Sequence, residues 1–260
     1  MNDLEKEFNV LDLRPKDSLH PSFWDGEELS SDVRERLLMI AQGAIDKLEL
    51  GVDILDITLT GSMASYGWHE NSDLDLHIVL NFEYISDDYM TVSKMLNFAR
   101  IIWNKKHDIY INGHEVEIYY QDVAEPHHAL GIFSLLENRW LKKPEPLDHD
   151  FDLKSSEKKA EGIAESIIHA EELLEEGEFE DAHKYCSKIF RKIKKMRKSG
   201  LERDGIYSNE NLAFKILRGS NLIDRLTRVK NDSYDKMMSL NPKENKNIFL
   251  NKWASFLGNM

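Results

Sequence analysis

Residues 72–80 read Ser-Asp-Leu-Asp-Leu-His-Ile-Val-Leu, and this run constrains the fold more than any other. Strict alternation is the signature of a half-buried strand, with successive side chains on opposite faces. Leu74, Leu76 and Ile78 therefore need a covered apolar layer, while Asp73, Asp75 and His77 share the other face. Two carboxylates so placed lie about 6.5 Å apart at their Cα atoms, near enough to share one metal ion or to bridge two. Crowding two like charges is costly unless a cation or a proton relieves it, so the pair points to metal.

The segment before it supplies a second part. Ile54 to Thr60 alternates and is rich in β-branched residues, predicting a strand. Gly61 and Ser62 follow directly. A glycine at a strand end lets backbone approach a phosphate, the serine offers a hydroxyl, and a short helix starting there would aim free N–H groups at an anion. A third carboxylate would complete a two-metal site. Glu117, in the alternating run His114-Glu115-Val116-Glu117-Ile118-Tyr119, is the candidate, with Glu115 as the alternative. An exposed charge on an edge strand is the plainer reading of either glutamate. His77 reads as a hydrogen-bonded wall residue rather than a ligand, and His127-His128 as surface residues without zinc-site spacing.

The rest of the chain sets these strands in context. Residues 1–30 read as an irregular arm whose Phe23 and Trp24 dock on the core. Apolar spacing predicts a helix from Asp32 to Leu48 with Ser30 or Ser31 as cap and Gly51 as its stop. Another helix, capped by Asp87 or Asp88, runs to about Lys105. Asn112-Gly113 predicts a hairpin turn between Asp108 and Tyr120, and residues 130–142 a further short hairpin around Glu137-Asn138. The fold expected is α+β: a mixed β-sheet flanked by helices over residues 31–150, then a C-terminal helical domain over 151–260. In the latter, two apolar stripes separated by Gly177 predict a helical hairpin, Ser208 caps a third helix, and Asn221 to Val229 forms a fourth.

Glycine-serine, ten residues, then aspartate-leucine-aspartate resembles the signature of the polymerase-β nucleotidyltransferase superfamily, most closely over residues 54–122. More loosely, the chain resembles predicted nucleotidyltransferases of tailed bacteriophages around Thr58 to Ala64, Gly113 to Glu117 and Tyr234 to Met238. The resemblance implies Mg²⁺- or Mn²⁺-dependent transfer of a nucleoside monophosphate from a nucleoside triphosphate to a hydroxyl, with release of pyrophosphate. It places the triphosphate on Gly61 and Ser62, metal on Asp73 and Asp75, and metal and acceptor hydroxyl on Glu117. The chain departs from the small antibiotic-modifying members at Tyr66, where they often carry arginine, and in having glutamate rather than aspartate as third carboxylate. An RNA end, a second nucleotide, a protein or a small molecule would each serve as acceptor. The alternative is a catalytically inactive nucleotide-binding or host-interaction protein on the same fold.

Charge and composition narrow the partners. With 47 acidic against 34 basic residues, net charge is −13, which argues against a broad surface gripping long nucleic acid. The concentrated basic run, Lys188 to Lys198 just before Gly200, reads first as compensation of a helix C-terminus and second as a grip on an RNA end or nucleotide. The acidic run Glu171 to Asp181 reads as a solvated face able to pair with it. A single cysteine, Cys186, fits a reducing interior. A charged start without a signal pattern, and no apolar run of about 20 residues, predict a cytoplasmic protein outside the membrane.

Overall fold

Alternation and turn chemistry become a six-stranded mixed sheet in the computed structural model, which describes residues 13–127, 129–146 and 152–240. The chain divides into two compact units, with the boundary between residues 150 and 151. In the first, a small ribbon of β1 (Trp24–Asp25) and β2 (Glu28–Leu29) precedes helix α1 (Ser31–Asp46). There follow β3 (Asp56–Thr60), β4 (Leu74–Leu80), α2 (Tyr89–Lys106), β5 (Tyr110–Ile111), β6 (His114–Asp122), β7 (Ile132–Ser134) and β8 (Arg139–Lys142). The sheet order is β5-β6-β4-β3-β7-β8, with β4 and β6 parallel and every other neighbour antiparallel.

One face of the sheet is apolar and covered. Ile57 and Leu59 of β3, Leu74, Leu76 and Ile78 of β4, and Val116 and Ile118 of β6 share a buried cluster with Val33, Leu37, Ala41 and Ala44 of α1 and Val92 and Leu96 of α2. Burial of such side chains contributes about 1.5–3 kcal/mol each before the entropy of ordering is subtracted, so this layer fixes which face of β4 is left for Asp75 and His77. The arm docks as the sequence predicts: Phe23 and Trp24 are buried, and the Trp24 indole N–H donates to the Met63 carbonyl at 2.9 Å. Residues 1–12 of that arm lie outside the described residues.

Local signals set the element ends. Asp88 caps α2 by accepting from the Thr91 amide at 3.1 Å and its hydroxyl at 2.7 Å. Asn112 and Gly113 both adopt positive φ, at 50° and 88°, which matches a type I′ hairpin turn. Beyond Glu115, β5 no longer covers the outer edge of β6. Asn104 of α2 takes over there, giving and receiving a hydrogen bond with the Ile118 backbone and closing an otherwise open edge.

The second unit holds α3 (Leu153–Glu175), α4 (Phe179–Asp204), α5 (Asn209–Gly219) and α6 (Leu222–Met238). Ala160, Ile163, Ala164, Ile167 and Ala170 of α3 are buried, as are Ala182, Cys186, Ile189 and Ile193 of α4. Among them the short alanine and cysteine side chains leave room for close helix approach. Four expectations are corrected. Helix α1 ends at Asp46, five residues before Gly51. Helix α6 runs nine residues past Val229, to Met238. Helix α4 passes through Gly200 and ends at Asp204, with Gly205 at φ 72°. No helix starts at Gly61, and residues 61–67 form turns, held by the Ser65 amide donating to the Ser62 carbonyl at 3.1 Å. Among the described residues, no helix is long and apolar enough to cross a membrane.

Candidate metal centre

Parallel pairing of β4 with β6 sets Asp75 opposite Glu117. Neighbours in register project to the same face of a sheet, so the two carboxylates meet on the side away from the apolar layer. Asp73, one residue before β4, completes the group. One oxygen from each of Asp73, Asp75 and Glu117 lies within 4.8 Å of the other two. Asp73 is buried, and Asp75 and Glu117 are half-buried. Oxygen ligands of an octahedral Mg²⁺ sit about 2.1 Å from the ion, hence at most about 4.2 Å apart. The bound on the triad is close to that span, so the three oxygens are near enough to share one ion. This acidic triad can hold a metal ion. Glu115, the alternative third carboxylate, is not part of it.

Gly61 is required for reasons the sequence alone did not show. Its φ is +74°, and a Cβ there would fall 1.8 Å from Oδ2 of Asp75. The missing side chain gives the Asp75 carboxylate its place. Ser62 is tied into the same loop: its hydroxyl donates to Ser72 Oγ at 3.1 Å, and that oxygen accepts the His69 amide at 3.0 Å. The His114 Nδ1–H donates to the Ser72 carbonyl at 2.7 Å, which anchors the residue immediately before Asp73. Gly131 lets β7 approach the turn, since a Cβ on it would lie 1.8 Å from the Ala64 carbonyl oxygen. Packing and hydrogen bonds thus tie the turn to the segment that carries both aspartates.

Further polar side chains extend from the triad across the same sheet face. The Tyr119 hydroxyl donates to Glu117 Oε2 at 2.7 Å. Burial, then the charges of Asp75 and Glu117, push this phenol well above its ordinary range, so Tyr119 remains a donor. Its ring stacks on His77 at 5.0 Å, and the Arg100 guanidinium lies 4.6 Å from the ring centre. His77 Nδ1 donates to Gln121 Oε1 at 2.7 Å, and Gln121 Nε2 donates to His127 Nδ1 at 3.3 Å. Burial lowers the His77 pKa, the Gln121 hydrogen bond raises it, and the charges of His127 and Arg100 lower it further, leaving a net fall. Neutral His77 thus acts as a bonded wall of the site, outside the acidic triad. His127 is exposed; His128 lies outside the described residues.

Sequence reasoning named the three carboxylates but missed Tyr119, Arg100, Ser72, His114 and Gly131. Only Tyr119 carried a readable signal, standing two residues after Glu117 and so on the same strand face. Ser72 adjoins Asp73 and His114 begins the strand of Glu117, but their hydrogen bond forms only in the folded sheet, and Arg100 and Gly131 reach the site from other elements. No protein-family model matches the chain, and neither does any curated protein or solved structure.

Proposed function

We propose that residues 11–150 carry a metal-dependent nucleotidyltransferase centre of the polymerase-β type, which moves a nucleoside monophosphate from a triphosphate to a hydroxyl and releases pyrophosphate. The observation that carries this reading is the convergence of Asp73, Asp75 and Glu117 beside the Gly61-Ser62 turn on one face of a mixed sheet. Three oxygen ligands with open positions suit a hard cation, Mg²⁺ or Mn²⁺. When bound, such an ion neutralises phosphate charge and lowers the pKa of an attacking hydroxyl.

The chain's own groups divide the remaining work. Asp73 and Asp75 would hold the cation. Glu117, which accepts from the Tyr119 hydroxyl, would take the proton of the acceptor hydroxyl. The backbone of the turn at Gly61 and Ser62 lies beside Asp75 and would line the triphosphate. Holding the reactants in line is worth about 7–11 kcal/mol of barrier in favourable cases, so rigidity of this turn matters as much as its chemistry.

Transfer of label from α-³²P nucleoside triphosphates, with Mg²⁺ or Mn²⁺, to a pool of RNA, small molecules and the protein itself tests the proposal. Wild-type protein is expected to transfer label, and the Asp73→Asn, Asp75→Asn double variant to lose at least about 10³-fold. Metal-dependent nucleotide binding without any transfer would replace this reading with that of a binding protein on the same fold.

A further inference from the structure

Helix α4 has one buried and one charged face. Ala182, Cys186, Ile189 and Ile193 are buried within the helical unit. Lys188, Arg191, Lys192, Lys195 and Lys198 are all exposed and recur at i, i+3, i+4, i+7 and i+10. At 100° per residue they occupy an arc of about 120° opposite the buried stripe, in a row about 15 Å long. The row does not compensate the helix dipole, which acts within the last turn, because α4 continues to Asp204.

Acidic neighbours leave the row uncompensated. Glu171 is engaged by Arg225, Glu172 by His169 and Glu180 by Lys184. Glu202 reaches Lys198 at 3.7 Å, an exposed pair of little weight. Among the described residues, no carboxylate forms an ion pair with Lys188, Arg191, Lys192 or Lys195. Like charges at i, i+3 and i+4 repel one another and destabilise a helix, so the row gains from a polyanion laid along it. Its setting within a chain of net charge −13 makes this a local feature and not a general basicity.

We infer that the exposed face of α4 binds the phosphodiester backbone of a nucleic acid through Lys188, Arg191, Lys192, Lys195 and Lys198. A repeated row of mainly lysine point charges suits evenly spaced phosphates and carries no base readout. An anionic membrane fits less well, because interfacial helices bury an apolar face in the lipid, and the apolar face of α4 is already buried against protein. The inference is independent of the carboxylate triad and of the proposed transferase activity.

Fluorescence anisotropy of the full chain with labelled 20-mer RNA and DNA of one sequence, across a salt series, tests it. The expected slope of log K against log salt is about −3.5 for five contacts to a single strand, and the Lys188→Gln, Lys192→Gln, Lys195→Gln variant should lose about 2 of it. That variant should bind at least tenfold more weakly at 0.1 M salt, while the corresponding Lys→Arg triple variant and the Asp73→Asn, Asp75→Asn protein should bind as wild type does. The tighter of the two polynucleotides names the source of the phosphates. Wild-type affinity in the glutamine variant, equal competition by polyglutamate, or preference for phosphatidylserine vesicles over both polynucleotides would overturn the inference.

Discussion

Gly61 shows how one residue decides whether the acidic triad can form. Alanine there meets two penalties, a left-handed backbone costing about 1–2 kcal/mol and a Cβ placed 1.8 Å from the Asp75 carboxylate. The second cannot be tolerated without moving Asp75. The Gly61→Ala variant is therefore expected to fold but to lose Mn²⁺ affinity by about 10–100-fold, the range for losing the group that orients a metal ligand. Titration calorimetry with Mn²⁺ reads this directly, and unchanged affinity would show that Asp75 does not contribute to the site. Tyr119 acts on the third carboxylate, where its hydroxyl donates to Glu117 Oε2 and restrains that side chain.

At the scale of elements, the joint between α4 and α5 sets helix propensity against packing. Gly200 lies within α4, where alanine would gain about 1 kcal/mol of intrinsic helix propensity. A Cβ on Gly200 would lie 2.6 Å from both the Glu210 Cβ and the Ser208 hydroxyl oxygen. Ser208 caps α5 by accepting from the Asn211 amide, and Glu210 pairs with Lys159 and Arg203. Neither neighbour can retreat without breaking such a contact, and overpacking typically costs about 1–3 kcal/mol. The Gly200→Ala variant should therefore be less stable by up to about 2 kcal/mol in urea unfolding. A gain in stability would mean that the joint is looser than the geometry indicates. The glycine that reads in sequence as a helix stop is thus a contact point between two helices.

For the whole molecule, net charge and the acidic triad act together. A chain of charge −13 that gathers three carboxylates within 4.8 Å carries a repulsion that a divalent cation relieves. Binding to the folded state alone contributes about 2.7 kcal/mol at 100 times Kd. Saturating Mg²⁺ or Mn²⁺ should accordingly raise the Tm of the wild type by several degrees and leave the Asp73→Asn, Asp75→Asn variant unmoved. Equal shifts in both proteins, read by scanning calorimetry, would place the metal elsewhere. By itself the sequence determined what depends on neighbours a few residues apart: the alternation of β4, the Asn112-Gly113 turn, the Asp88 cap, the helical stripes of α3 and α4, and the α+β class. It also named Asp73, Asp75 and Glu117, because strand alternation places side chains by parity. Tertiary structure alone decided the parallel register that sets Glu117 beside Asp75, the fit of Asp75 against Gly61, the bond from Tyr119, and the passage of α4 through Gly200. Those depend on which distant segments bury their apolar faces together, and burial is a property of the assembled sheet and bundle that no short window of residues contains.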